Sequence, residues 1–482
     1  MTGITQCDLL VVGAGPAGLA AATLAARHGV DTMLLDEQPS PGGQIYRAIT
    51  TTPLQNRDTL GKDYWHGEAL VKAFRRSHAR YEPGATVWAV SRMTAQDPEG
   101  GFEVGYSVAG EARMLQARNI ILATGAQERP FPIPGWTLPG VMTVGAAQTM
   151  FKTTGIVPGK RTVLAGCGPL LYLVAWQYMK AGVKIEALLD TTGAGGLAQA
   201  LPHVWGFLRS PYLAKGLKLV HEVRAKARII RGITALEAVG VGKLDHVRYT
   251  TGGKSAELPC DQLLLHQGVI PNINLSQALG VELRWSETNL CWEPAVDDWG
   301  NTNVAEVGIA GDGASITGAL AAEHLGRLVA LEACRQLGKI DQPTRDREGE
   351  THRKALARAV LGRDFFDRLY LPPEQFRIPV GDTIVCRCEE VTAAQVRETV
   401  KLGCPGPNQM KSFLRCGMGP CQGRFCNTTV TEIIAQERGV PPQDVGHFRL
   451  RFPTKPLTLG ELASLPQTED SKKAVIRLKK QP

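Results

Sequence analysis

The sequence predicts an α/β protein in which two successive strand–turn–helix units are followed by a small helical module rich in cysteine. Three observations carry this. Gly13-Ala-Gly15-Pro-Ala-Gly18 separates a short apolar strand from an Ala-rich helix. Gly166-Cys-Gly168-Pro-Leu-Leu171 repeats the arrangement about one domain-length (~150 residues) further on. Six of the 11 cysteines, Cys386, Cys388, Cys404, Cys416, Cys421 and Cys426, crowd into one short segment. Both glycine turns have the setting of a Rossmann-like dinucleotide-binding unit. A chain of 482 residues with 43% hydrophobic content can bury several cores, which excludes wholesale disorder. Its 53 glycines cluster in motifs without a period, which excludes collagen-like and repeat architectures.

The elements follow in order. Asp8 to Val12 reads as a strand, Gly13 to Gly18 as the turn, Leu19 to Arg27 as a helix stopped by Gly29, and Thr32 to Leu35 as the next strand. Asn119 to Ala123 is a further strand closing into Thr124-Gly125, and the Pro-rich run from Arg129 to Gly135 is a crossing. The second unit has a strand at Thr162 to Ala165, a helix ending near Ala181 and a strand at Lys184 to Leu189. A return crossing falls at Gly268 to Asn272, then a strand at Val307 to Ala310 and a helix from Gly318 to Leu337. The charged stretch Asp341 to Lys354 reads as the end of this layer. The expected division is a discontinuous domain (1–150 and 270–345), an inserted second nucleotide-binding domain (151–269), a connector (346–380), the cysteine module (381–445) and a Pro-containing basic tail (446–482). Within the module, Thr392-Ala-Ala-Gln395 forms a capping box for a helix to Leu402, and Cys421 and Cys426 open a helix ended by Gly439.

Charge excludes one class of partner. Eight basic against three acidic residues in the tail supply +5 of the formal +8, with no basic–aromatic motif, so nucleic acid is not an expected partner. The start lacks the basic region of a secretory signal. Leu9 to Ala26 is uncharged, but its three glycines and proline fit a turn better than a membrane span. A cytoplasmic protein without an integral membrane segment is expected, any membrane association passing through an electron acceptor; there, clustered cysteines favour metal over disulfides.

Gly13 allows the tight turn, Gly15 admits a pyrophosphate, and Gly18 lets helix and strand pack closely. Asp36, 18 residues past Gly18, is placed to accept ribose hydroxyls, with Glu37 as the fallback. In the second unit Gly166 and Gly168 remain, but Leu171 replaces the third glycine, so useful NAD(P)H oxidation is not expected. Cys386-Arg-Cys388 and Cys421-Gln-Gly-Arg-Phe-Cys426 offer four thiolates in two tight pairs, suited to an iron–sulfur cluster. Structural zinc takes four cysteines equally, though usually in Cys-x₂-Cys pairs. Cys404 and Cys416 are read as spare core thiols, Cys416 being the stand-in ligand, and Gly417, Gly419 and Gly423 as leaving room for backbone donors. The histidines form no base–nucleophile pattern: His28 reads as surface, His266 and His324 as satisfied core residues. No catalytic residue is assigned.

Pro41-Gly-Gly43-Gln44, Ala123-Thr124-Gly125 and Gly311-Asp312 together resemble the two-dinucleotide-binding-domain, glutathione-reductase-like flavoproteins. That resemblance implies FAD at the first turn, with Asp312 bonding the ribityl chain, and NAD(P)H in the second domain of relatives. The redox cysteine pair of the disulfide reductases is missing from 43–47 and 135–150. Cys386-Arg-Cys-Glu-Glu-Val-Thr392 and Gly417-Met-Gly-Pro-Cys-Gln-Gly423 resemble the bacterioferritin-associated-ferredoxin-like [2Fe–2S] domain. With Gly135-Trp-Thr-Leu-Pro-Gly-Val-Met142 and Pro453-Thr-Lys-Pro-Leu-Thr-Leu-Gly-Glu-Leu-Ala463, the chain resembles the α (A) subunits of opine oxidases, D-hydroxyproline dehydrogenases and hydrogen cyanide synthases. This implies an electron-transferring subunit. A separate amino-acid-oxidase-like β subunit would oxidise the C–N bond, with FMN at the α/β contact in some members. A further partner would be a small ferredoxin-like γ subunit. Two alternatives stay open: a self-contained NAD(P)H-dependent reductase, and an iron–sulfur binding or assembly module with a scaffold flavin domain.

Overall fold

A computed structural model describes residues 5–93, 100–159 and 161–465. Strand Thr5–Val12 pairs in parallel with Thr32–Asp36 on one side and Glu111–Leu122 on the other, Arg80–Pro83 and Val307–Ile309 extending the parallel layer. Every residue of Thr32–Asp36 is buried, as a parallel sheet covered on both faces requires. Glu111–Leu122 is longer than the apolar run read from sequence. Its alternating first half pairs antiparallel with Phe102–Val108, which in turn pairs with Thr86–Arg92. Helix Pro16–Arg27 crosses helix Ala319–Gln336 closely, a Cβ on Gly326 falling 2.2 Å from the Ala17 carbonyl oxygen.

The second unit repeats this plan. Five parallel strands run in the order Arg228–Arg231, Ile185–Asp190, Thr162–Cys167, Gln262–Gln267, Val141–Thr143. An antiparallel meander, Ile233–Val239, His246–Thr251 and Lys254–Pro259, completes it. The edge strand Val141–Thr143 lies before residue 151, so this sheet draws on sequence assigned above to the first domain. Ala126–Glu128 and Val269–Pro271 pair antiparallel where the chain crosses between the two units.

Asp341 to Lys354 does not end the layer as expected. Asp341 caps an 18-residue helix, Gln342–Ala359, its carboxylate accepting from Thr344 N at 3.0 Å. The helix carries few apolar residues, Ala355, Leu356, Ala357 and Ala359 near its C-terminal end, and its N-terminal half docks through charge. Arg345 reaches the buried Glu332 at 2.6 Å, and Arg345 and Arg353 stack on Trp299 at 4.2 and 4.0 Å. The connector also contains helices Arg363–Leu369 and Glu374–Arg377.

In the cysteine module, a hairpin of Ile384–Cys386 and Val391–Thr392 leads into helix Ala393–Lys401 through the expected Thr392/Gln395 capping box. Helices Pro407–Leu414 and Asn427–Arg438 close a small core around Val396, Met410, Val430 and Ile433. The chain then returns to the first unit: Thr454 N donates to Trp88 O at 2.8 Å and Lys455 pairs with Glu37 at 2.7 Å. Lys472, Lys473, Arg477, Lys479 and Lys480, which carry much of the tail's charge, lie outside the described residues, as do residues 1–4 of the start. Among the described residues no helix is long and apolar enough to cross a membrane.

Candidate functional site

The first glycine turn and the loop after the second strand face each other with bare backbone. Gly13 has φ +107°, and a Cβ there would meet the Ala123 carbonyl oxygen at 2.4 Å. A Cβ on Gly43 (φ +60°) would lie 2.7 Å from Gly15 Cα, while Gly15 itself has only Gly43 Cα, at 3.8 Å, near its missing Cβ. No side chain caps helix Pro16–Arg27 at Gly15, so its first N–H groups are available to an anion. Gly18 serves packing instead, a Cβ there falling 1.8 Å from Gly13 O.

Around this cradle, buried Asp36 accepts from Ala14 N and, at 2.7 Å, from Gln38 N, while burial pushes its carboxyl up. Burial pushes the Glu37 carboxyl up, but the charge and hydrogen bond of Lys455 together with the charges of Arg424 and Arg47 outweigh it and leave the carboxyl lowered. Asp312 Oδ1 accepts from Thr317 N and Gly318 N at 2.9 and 3.0 Å, contacts that leave Oδ2 unused. Thr124 Oγ1 donates to Asn272 O at 3.1 Å, and Gly125 O accepts from Asn272 N at 2.9 Å.

Two cations here escaped the sequence reading. Arg47 is buried near Asp36 and Glu37, and its Nε has no partner among the described residues. Lys152, 2% exposed, donates to Ile45 O at 2.9 Å, Gln148 Oε1 at 3.0 Å and Gln44 O at 3.3 Å, buttressing the Gly43–Gln44 loop from behind. Arg47 could have been noticed as the charge ending the Gly-Gly-Gln-Ile-Tyr run. Lys152 shares a face of helix Val144–Thr154 with Val144, Gln148 and Phe151, a face too apolar for a solvated lysine. Facing glycines, free N–H groups and an orphaned guanidinium nitrogen fit a dinucleotide pyrophosphate.

The second turn is furnished differently. Gly166 packs against the His266 backbone, and Leu171 is fully buried. Asp190 accepts from Thr192 N at 2.9 Å and from the Tyr172 hydroxyl at 3.0 Å. Cys167, between the two glycines, donates its thiol to Tyr370 O at 3.4 Å. A Cβ on Gly196 would lie 2.4 Å from Leu369 O, so the connector lies directly over this domain. Buried His266 pairs with Glu128 at 2.7 Å, a satisfied core histidine as read from sequence.

The cysteines meet across the two pairs. Cys386 is in thiol contact with Cys426 and Cys416, and Cys421 with Cys388. The sulfurs of Cys386, Cys416 and Cys426 all lie within 4.8 Å of one another and are buried. Cys416 is therefore part of the cluster rather than a spare core thiol, whereas Cys404 bonds Gly406 O at 3.4 Å. The Cys416 and Cys426 thiols and the N–H groups of Gly417 and Glu389 stabilise Cys386 as thiolate and depress it far below an ordinary thiol. The N–H groups of Phe425 and Gly423 point at Cys421. Gly417 and Gly423 have a second use: a Cβ on either would strike the Phe448 ring, at 2.6 and 2.7 Å. Gly419 abuts Cys388, a Cβ there lying 2.2 Å from Cys388 Cβ. Converging thiols with backbone donors aimed at sulfur are the donor chemistry of an iron–sulfur cluster.

This module is docked on the first site. Gln127 Nε2 donates to Arg424 O at 2.7 Å, and Asn274 Nδ2 to Cys421 O at 3.4 Å. Gly125, Asn272, Asn274 and Cys421 thus form one short path of backbone and hydrogen bonds. A cavity of about 20 Å³ in the seam is lined by Gln127, Trp292 and Gln422. Gln127 Oε1 and Trp292 Nε1 lack partners among the described residues, and the space suits one water.

Comparison with known proteins places this arrangement. The pyridine nucleotide-disulphide oxidoreductase family model matches residues 7–329, and the sarcosine oxidase A3 domain model matches 381–465. The chain is 48% identical over 97% of its length to the α (A) subunit of opine oxidase from Agrobacterium tumefaciens (strain Ach5), covering 93% of that protein. It is 32% identical over 93% of its length to a hydrogen cyanide synthase subunit of Pseudomonas protegens, covering 96% of it. In fold it resembles L-proline dehydrogenase from P. horikoshii, with a TM-score of 0.68 at 19% identity over 96% of this chain and 81% of that one. The chain belongs to the family of opine oxidase α (A) subunits, flavin-dependent oxidoreductase subunits that join a pyridine nucleotide-disulphide oxidoreductase fold to a sarcosine oxidase A3 domain.

Proposed function

We propose that this chain is the electron-transferring subunit of a hetero-oligomeric dehydrogenase or oxidase that acts on the C–N bond of an amino-acid-derived amine, an opine or a D-hydroxyproline-like compound. Substrate oxidation would reside in a separate amino-acid-oxidase-like subunit. The observation that carries this reading is the seam in which Gln127 and Asn274 bond the Cys421–Arg424 loop beside the Thr124–Gly125 turn. When bound, FAD supplies two-electron chemistry and a [2Fe–2S] cluster supplies one-electron chemistry. The Gly13–Gly18 turn and Arg47 would hold the pyrophosphate, Asp36 the ribose, and Asp312 Oδ2 the ribityl chain, while Lys152 fixes the Gly43–Gln44 loop. Cys386, Cys388, Cys421 and Cys426 would hold the cluster, with Cys416 against it, and Phe448 would keep water from the sulfurs.

NAD(P)H has no redox role in this reading. Tyr172 already donates to Asp190 as a ribose hydroxyl would, buried Leu171 fills the third glycine position, and the Tyr370 carbonyl oxygen meets Cys167 in the same turn. FMN at the subunit contact and a small γ subunit would be further parts of the complex.

The test is anaerobic reduction. The isolated chain should keep its flavin oxidised when given NADH, NADPH or the amine. The complex with its co-purifying amine-oxidising subunit should bleach on adding the amine. Rapid bleaching of the isolated chain by NADH would instead establish a self-contained reductase.

A further inference from the structure

The cysteine module brings together more thiols than its cluster can use. Each iron of a [2Fe–2S] cluster carries two thiolates, its other two positions being filled by sulfide. Cys388 meets Cys421, whereas Cys386, Cys416 and Cys426 form a separate buried group with every sulfur within 4.8 Å of the others. The first two suit one iron. Only two of the other three can hold the second iron, so one thiol is left beside it.

The backbone decides which. Cys386 already receives the N–H groups of Gly417 and Glu389, as a thiolate ligand should. Cys426 is the N-cap of helix Asn427–Arg438, where the positive end of the helix dipole favours a thiolate. Cys416 lies at the opposite kind of end. It directly follows Arg415, the left-handed residue that closes helix Pro407–Leu414, and the carbonyl groups of that end favour a neutral thiol. Cys416 is also wholly buried, with the Phe448 ring packed against the adjacent Gly417, so its S–H acts in a setting of low dielectric.

We propose that Cys416 is a positioning residue and not a ligand: its S–H donates to the Cys386 sulfur and raises the reduction potential of the iron that Cys386 and Cys426 hold. The inference rests on the [2Fe–2S] reading above and adds to it which of the module's thiols tunes the cluster. One electron from the flavin takes a ferric iron to ferrous and adds one negative charge to the cluster. A donor aimed at a ligand sulfur stabilises that charge, and no bond to sulfur forms or breaks. A hydrogen bond to a charged group is enough for about a tenfold shift in the one-electron equilibrium, or about 59 mV.

The test compares the full-length wild type with Cys416→Ala and Cys416→Ser. Flavin, iron, zinc and acid-labile sulfide are measured, and the cluster is titrated with reductant by electron paramagnetic resonance. Equal iron and sulfide in the wild type establish the cluster separately from the role of Cys416, whereas zinc in their place removes both. Both variants should keep the wild-type content. The alanine variant, which has no donor, should have a midpoint potential lower by about 59 mV, the tenfold shift. The serine variant, whose hydroxyl replaces the S–H, should match the wild type or lie above it. Loss of iron from either variant with flavin retained would make Cys416 a ligand and overturn the inference, as would equal potentials in alanine variant and wild type. Should the alanine variant lose flavin as well, the near-isosteric serine variant decides: a potential at or above the wild type upholds the donor, and a lower one overturns it.

Discussion

Gly15 and Gly18 stand three residues apart and answer to different demands. Only Gly43 Cα, at 3.8 Å, lies near a Cβ on Gly15, so Gly15→Val should fold with a nearly unchanged thermal midpoint but emerge without flavin. Retention of full, tight flavin by that variant would remove the pyrophosphate from this turn. Lys152 makes a second prediction. Burial and the nearby Arg47 hold its ammonium down to about 7, against 10.5 in an unfolded chain. Between these values the unfolded state binds the extra proton, so folded stability rises as pH climbs from about 7 towards 10.5, and the charge penalty is fully present below 7. The midpoint of wild type minus that of Lys152→Met should therefore increase from pH 7 to 10; a flat difference would show that Lys152 does not titrate there. At this scale the glycines and Asp36 were legible because each backbone demand names its residue type. Arg47 and Lys152 were not, since a buried cation looks like any surface cation until the loop it supports is in place.

Among the elements, the Gly417–Gly423 loop shows how backbone freedom becomes chemistry. Gly419→Ala should push Cys388 out of place, because the new methyl would fall 2.2 Å from Cys388 Cβ. We expect that variant to lose most of its visible iron–sulfur absorbance and retain its flavin; normal absorbance would mean that Cys388 is not needed close to this loop. The capping box and the αL stop at Gly439 were readable from sequence because both are local signals. Helix Gln342–Ala359 was not, because its stability rests on Glu332, Asp341 and Trp299, groups that lie outside the helix. Cys416 was set aside because spacing alone does not show a third segment folding over the two pairs.

For the whole molecule, duplication of one sheet plan was visible in two glycine turns about one domain-length apart. The docking of the cysteine module was not, since Gln127 and Asn274 are ordinary polar residues until both crossings are in place. The Val141–Thr143 edge strand was also hidden: three residues carry too little periodicity to show which sheet they join. The central claim is that one folded chain carries a flavin site and an iron–sulfur site in contact. It is tested most directly by cofactor analysis of the anaerobically purified full chain: flavin, iron, zinc and acid-labile sulfide in one sample. The expected result is one FAD per chain, with iron and sulfide equal to each other and twice the flavin. Stoichiometric zinc without iron or labile sulfide would contradict the account and remove the electron relay with it.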